Sequence, residues 1–282
     1  MEISSGIPEI VIGLIDGPVA MDHPALTGDH LRELHKNGAG ACTQRNSVAC
    51  QHGTFVAGLL FAKRDSATPG ICPDCSLLIR PIFSETTAID NGLPSARPEE
   101  LAQAILECIE AGAHVLNISA AIALPSSKSE HSLEEALNLA ARRGVMVVSA
   151  AGNQGLLCGT ALTRHPWVIP VIAYTAQGRP MGMSNMGSSI GKRGLGASGD
   201  QITSLGTDHK PFTSGGTSAA APFVTGAIAL LWSIFRQATA MQIKFAIAQP
   251  ASTQRRSVVP PLLNAWAAYQ YLQTAHTRRK LS

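Results

Sequence analysis

Short apolar, β-branched runs alternate with helical patterns along most of this chain, and that alternation restricts the fold more than any other feature. Glu9–Asp16 (EIVIGLID) is apolar for nearly its whole length and ends in turn residues, as a strand buried on both faces does. Ser76–Phe83, His114–Ser119, Val145–Ala151 and Trp167–Tyr174 read the same way. Predicted helices fall between them. His52–Ala62 has a face of small residues. Pro98–Ala111 starts on a proline, stops before Gly112, and places Leu101, Ile105, Cys108 and Ile109 on one face. Ser132–Arg143 carries a capping box from Ser132 to Glu135, with Gly144 at its end. A Gly/Ser-rich stretch, Gly178–Gly216, holds few long elements. A long apolar helix, Thr217–Phe235, follows, then two shorter ones near 240–248 and 261–275. The pattern predicts an α/β fold: a doubly wound, mostly parallel sheet with helices on both faces. No repeat or linker interrupts it, so residues 1–282 are read as one domain.

Composition narrows the function. Hydrophobic residues at 45% and charged residues at 15% exclude a disordered chain. No uninterrupted run of 18 apolar residues occurs, so no membrane-spanning helix is expected. A net charge of +3 gives no reason to expect nucleic acid or an anionic membrane as a partner. The first residues lack a signal-peptide pattern, which makes a cytoplasmic location the expectation. The six cysteines, Cys42, Cys50, Cys72, Cys75, Cys108 and Cys158, are then expected as reduced thiols. Cys72 and Cys75 have zinc-knuckle spacing, but no second close Cys/His pair accompanies them. No metal or other cofactor is therefore expected, and the pair is read as free thiols or a local disulfide. Cys108 lies on an apolar helix face and reads as core.

In open α/β sheets, ligands gather at the carboxyl ends of the strands. Asp16 ends the first strand, where Asp-Gly is also an ordinary turn. His52 opens a predicted helix and could equally be a surface or capping histidine. Asn153 ends another strand; it could form a turn or aim its amide at a developing oxyanion. Ser218 lies in Gly215-Gly216-Thr217-Ser218-Ala219-Ala220-Ala221-Pro222. Serine there suits a helix N-cap. It also suits a nucleophile, with glycines allowing close approach, small neighbours, a helix N-terminus supplying N–H groups, and Pro222 tolerated in the first turn.

Together these segments resemble the subtilase family of serine peptidases. The matching pieces, in order, are Ile15-Asp16-Gly17, His52-Gly53-Thr54-Phe55-Val56-Ala57-Gly58, Ala150-Ala151-Gly152-Asn153 and Gly216-Thr217-Ser218-Ala219-Ala220-Ala221-Pro222. The resemblance covers roughly residues 9–235. It implies Ser218 as nucleophile, His52 as base, Asp16 as the acid that orients it, and Asn153 as oxyanion donor. Asp16-Gly17-Pro18-Val19 with His23-Pro24, Pro69-Gly70-Ile71-Cys72-Pro73 and Arg80-Pro81-Ile82-Phe83-Ser84 look like the peptidases of cyanobactin biosynthesis. That narrower likeness implies a precursor peptide as substrate and leader removal as the reaction. A macrocyclase or a catalytically silent peptide-binding module are the alternatives. The 36 positions from Asp16 to His52 show no long amphipathic insertion of the kind cyclases of that group carry, and the intact triad argues against a silent module. Secreted subtilases carry a prosegment that helps the fold form; with 15 residues before Asp16, the expectation is either a domain that folds unaided or a natural start upstream of Met1.

The resemblance also implies a peptide-binding strand, here Ser119-Ala120-Ala121-Ile122, with Ala151 and Gly152 as further substrate-binding residues. Alanines at 120 and 121 replace residues that are often glycine. Their methyl groups are expected to narrow the first pocket toward a small residue before the cut. Oligomeric state is left open.

Overall fold

The computed structural model describes residues 3–34, 42–83, 85, 95–119, 121–122, 127–248 and 257–281. In chain order the elements are β1 (Val11–Asp16), β2 (Leu31–Glu33), α1 (Val48–Phe61), β3 (Ser76–Pro81), β4 (Ser95–Ala96), α2 (Pro98–Glu110), β5 (Val115–Ile118), β6 (Ala121–Ile122), α3 (Ser127–Arg143) and β7 (Met146–Ala150). The second half adds α4 (Ala161–Arg164), β8 (Val168–Tyr174), α5 (Ser188–Arg193), β9 (Leu195–Ser198), β10 (Ile202–Leu205), β11 (Pro211–Ser214), α6 (Thr217–Ile234), α7 (Ala240–Ala248) and α8 (Ala265–Leu281).

Seven parallel strands form the main sheet in the order β2-β3-β1-β5-β7-β8-β9, the α/β arrangement expected. From β1 the chain moves to one side for β3 and to the other for β5. The winding thus reverses at β1, and such a reversal opens a crevice at the carboxyl ends. Strand residues alternate between two cores, as a pleat requires. Ile12 and Leu14 of β1 pack with Val56 and Leu60 of α1 and Val224 and Ile228 of α6. Ile15 packs on the opposite face with Leu101 and Ile105 of α2 and Leu137 of α3. Cys108 lies in this second core, fully buried, and burial pushes its thiol up to about 12.

Several boundaries differ from expectation. α1 begins at Val48, capped by the Ser47 hydroxyl accepting from the Cys50 N–H at 3.1 Å, so His52 lies one turn inside the helix. The helix is buried nearly all round and lacks the one-sided periodicity that marks a helix start in sequence. α3 begins at Ser127, which places Ser132 within the helix; the Ser132–Glu135 capping box is not its start. α6 reaches the length and mean apolarity of a membrane span despite its Ser, Thr and Pro residues. Of its 18-residue window, 89% is buried inside the protein, where it covers the sheet.

The expectation of six reduced thiols is corrected as well. Cys42 and Cys50 form a disulfide, with their Cα atoms 5.4 Å apart. The turn leading into α1 folds back and brings together two residues eight apart in sequence. Cys72 and Cys75 are free and fully buried. They hydrogen-bond to each other, which holds the Cys72 thiol well above and the Cys75 thiol below the usual range. Among the described residues, no third metal-binding side chain groups with them.

Candidate active site

The carboxyl ends of β1, β5 and β7 and the first turns of α1 and α6 supply the side chains singled out in sequence. Asp16, the last residue of β1, is fully buried. α1 lies directly on the turn that follows it. A Cβ built on Gly53 would fall 2.4 Å from the carbonyl oxygens of both Gly17 and Pro18, a distance no side chain tolerates. Glycine at 53 therefore permits an approach that sets His52 against Asp16. The His52 Nδ1–H donates to Asp16 Oδ1 at 2.6 Å. The same oxygen accepts the Gly17 N–H at 2.6 Å. With its proton on Nδ1, His52 presents a lone pair at Nε2. That atom is buried and has no partner among the described residues.

Burial, the largest influence on His52, pushes its pKa down. The charge of Asp16 and the hydrogen bond to it together outweigh burial, and the net shift is upward. Two expected results follow. A base must be neutral to act, so kcat/KM should rise with pH along a limb centred above about 6.5. Because the folded pKa exceeds the unfolded one, the pair's stabilisation is complete below about pH 6.5 and fades as pH rises through the folded value. The difference in melting temperature between wild type and His52→Gln should shrink over the same range in which activity grows. An activity limb centred below about pH 6 would contradict this electrostatic balance.

Ser218 is the second residue of α6, after Gly216 at the cap and Thr217. It is not itself the N-cap. Gly216 has φ +102°, and a Cβ there would meet the Asn153 amide at 2.9–3.2 Å. This glycine leaves room for the Asn153 amide. Asn153 Oδ1 accepts both the Thr217 N–H at 2.9 Å and the Thr217 hydroxyl at 3.0 Å. The N–H donor dictates which end of the amide faces Thr217, so Nδ2 points elsewhere. Neither Asn153 Nδ2 nor the Ser218 N–H has a partner among the described residues.

Pro222 is the sixth residue of α6, not part of its first turn. Without an N–H it cannot bond the Ser218 carbonyl, its normal partner four residues back. The Ser119 hydroxyl donates to that carbonyl at 3.5 Å. Ser119 in turn accepts from Asn117 Nδ2 at 2.9 Å, and Asn117 Oδ1 accepts the Thr225 hydroxyl at 2.8 Å. A buried polar chain thus ties the end of β5 to two turns of α6, at Ser218 and at Thr225.

Of the remaining candidates, Ala120 lies outside the described residues. Ala121 is described in backbone only, pairing in parallel with Ser95 of β4. The pocket-narrowing role of the two alanines therefore lies outside what is described. Ala151 is buried and its N–H donates to the Val171 carbonyl at 2.9 Å. The Gly152 N–H donates to the Thr217 hydroxyl at 3.2 Å, and its carbonyl accepts the Asn185 N–H at 2.8 Å. These groups hold the loop.

Asn185 was not singled out in the sequence. It is buried, and its Oδ1 accepts the N–H groups of Gln154 and Leu156 at 3.1 and 3.0 Å. Its Nδ2 donates to Gln154 Oε1 at 2.7 Å. It positions the loop that carries Asn153. Asn185→Ala should lower kcat by roughly 10- to 100-fold with little change in KM, since small displacements of catalytic donors carry penalties of that order. Asn185→Asp keeps both acceptor contacts and should recover part of the loss. Equal losses in the two variants would remove the positioning role.

Residues 8–272 match the Subtilase family (peptidase S8). The thermophilic serine proteinase of Bacillus sp. (strain AK1) is 31% identical over 255 residues, covering 89% of this chain and 58% of that protein. The thermostable alkaline protease of Halalkalibacterium halodurans is 31% identical over 202 residues, covering 71% and 52%. The chain thus spans about half the length of these curated relatives. Among solved structures, a mutant of the protease domain of PatA aligns with a TM-score of 0.86 at 30% identity, over 97% of this chain and 98% of that one. The prenylagaramide maturation protease PagA aligns with a TM-score of 0.80 at 30% identity, over 95% of each chain. The PatG macrocyclase in complex with peptide, at 22% identity, shares the fold with a TM-score of 0.81. Since the family match runs from just before β1 into α8 and takes in Asp16, His52, Asn153 and Ser218 alike, the chain belongs to the Subtilase family.

Proposed function

We propose that this chain is a serine endopeptidase that cleaves a ribosomally made precursor peptide and releases it by hydrolysis of an acyl-enzyme. The observation that carries the reading is the buried Asp16–His52 pair, which leaves His52 Nε2 as an unpartnered base. In this mechanism Ser218 Oγ attacks the scissile carbonyl and His52 Nε2 takes its proton. Asp16 holds the imidazole in the right tautomer and stabilises the imidazolium. The developing oxyanion accepts from Asn153 Nδ2 and the Ser218 N–H, the two donors left free at the start of α6. His52 returns the proton to the leaving amine, and water then frees the acyl group. Structural likeness at 30% identity to a PatA protease domain and to a maturation protease supports the substrate class.

The test is mass spectrometry of candidate precursor peptides after incubation, with a fluorophosphonate probe as a second readout. Linear fragments whose cleavage incorporates one water, and labelling at Ser218, are expected. A product lighter by that water would identify a ring-closing enzyme. Folded protein that neither labels nor cuts would identify a silent binding module.

A further inference from the structure

Asn117 is a polar side chain at a core position. It lies in β5, a strand buried on both faces, and is fully buried itself. Residues two apart in a strand share a face. Val115 packs in the core that α6 covers, so Asn117 and Ser119 face that helix as well. Ser218, Pro222 and Thr225 are four and then three residues apart, which puts them on one face of α6. Ser218, Thr225, Asn117 and Ser119 are each at most 5% exposed. Polar groups so placed cost free energy unless partners are supplied.

The partners supplied run in one direction. The carbonyl of Ser218 can only accept, so the Ser119 hydroxyl gives its proton there and turns a lone pair toward Asn117. Asn117 Nδ2 donates to that lone pair at 2.9 Å, which leaves Oδ1 to accept from Thr225 at 2.8 Å. Pro222 leaves a gap in the hydrogen-bond ladder of α6, because it has no N–H to offer the Ser218 carbonyl. Ser119 fills that gap with a donor that follows β5 rather than one that belongs to the helix. In an uninterrupted helix the bond would be internal and would not fix where the helix sits. Here it holds the peptide after Ser218 against the end of β5. The same strand pairs with β1, setting Ile118 beside Ile15, the residue before Asp16. Ser218 and Asp16 are thereby referred to adjacent strands of one sheet.

We propose that Ser119 is a positioning residue for the nucleophile: its hydroxyl, oriented by Asn117, stands in for the N–H that Pro222 lacks and holds Ser218 in register with the Asp16–His52 pair. The proposal rests on the reading of Ser218 as nucleophile.

The experiment follows peptide cleavage together with the rate of labelling by a small fluorophosphonate, a probe with no peptide chain. The variants are Ser119→Ala, Ser119→Thr, Pro222→Ala and the double variant Ser119→Ala with Pro222→Ala, each checked by thermal unfolding. Ser119→Ala should lower kcat and the labelling rate together by about 10-fold, as loss of one hydrogen bond to a buried acceptor does, with KM little changed. Ser119→Thr keeps the hydroxyl and should recover most of the loss. In Pro222→Ala the helix regains an N–H for the Ser218 carbonyl, so adding Ser119→Ala should cost much less there than in the wild-type chain. A merely structural role predicts otherwise, since two independent destabilising changes add. The proposal is overturned if Ser119→Ala labels at the wild-type rate, if it raises KM alone, as a role confined to peptide binding would, or if its cost is the same in both backgrounds. Should Pro222→Ala not fold, the labelling rates of Ser119→Ala and Ser119→Thr decide by themselves. Wild-type protein that does not label is a distinguishable result: it would overturn the reading of Ser218 as nucleophile, and this proposal with it.

Discussion

Ser218→Ala is expected to lower kcat/KM by about 10⁶-fold, the effect typical when one member of such a triad is lost. The fold should not change. What the surroundings use of Ser218 is its backbone carbonyl, which accepts from Ser119, and alanine keeps that carbonyl. Alanine is also a good helix former. His52→Ala should cost nearly as much, and the double variant little more, because the residues act as one unit. The measurement is single-turnover cleavage of a peptide substrate alongside thermal unfolding. Ser218→Ala protein that still turns over at more than a trace, with contaminating protease excluded, would end the proposed mechanism.

Gly53→Ala sets two effects of opposite sign against each other. Helix propensity alone favours alanine over glycine by about 1 kcal/mol inside a helix. The close approach of α1 to the turn after Asp16 opposes this far more strongly. The new Cβ would fall 2.4 Å from two backbone carbonyl oxygens, and neither can rotate aside as a side chain could. α1 must shift by a fraction of an ångström or more, and His52 with it. We expect a loss of about 1–3 kcal/mol in stability and about 10²-fold in kcat/KM, because the Asp16–His52 geometry moves with the helix. Gly182→Ala is the control: nothing lies within 4 Å of a Cβ built there. If chemical denaturation finds Gly53→Ala as stable as wild type, the contact does not set the position of α1.

The strands were legible because a strand buried on both faces is a near-continuous apolar run, and such runs mark their own ends. β1 and β8 fall within a residue or two of expectation. The four candidate site residues stood out because each sits in a short local pattern that the backbone requires. Gly53 and Gly216 show the requirement directly, one for helix-to-turn contact and the other for a left-handed turn against Asn153. What stayed hidden depends on contacts distant in sequence. Asn185 lies in a Gly/Ser-rich stretch where composition suggests only a turn, yet it clamps a loop about thirty residues earlier. The Cys42–Cys50 bridge depends on how the chain folds back before α1. The start of α1 escaped notice because a helix buried on every side has no polar face to betray its period.

The burial of α6 bears on how such an enzyme can fail and how it can vary. Ser218 is mounted on the helix that packs against strands β5, β7, β8 and β9 and against α1, so its backbone is held by the core. Amide exchange in the middle of α6 should therefore report the full unfolding free energy, and inactivation by heat or denaturant should coincide with loss of the fold. The loop 152–157 is tied to α6 at one end, where Gly152 and Asn153 bond Thr217, and hangs from Asn185 at the other, with Leu156 and Leu157 in solvent. The candidate site thus joins a helix fixed in the core to a loop whose outer residues lie in solvent.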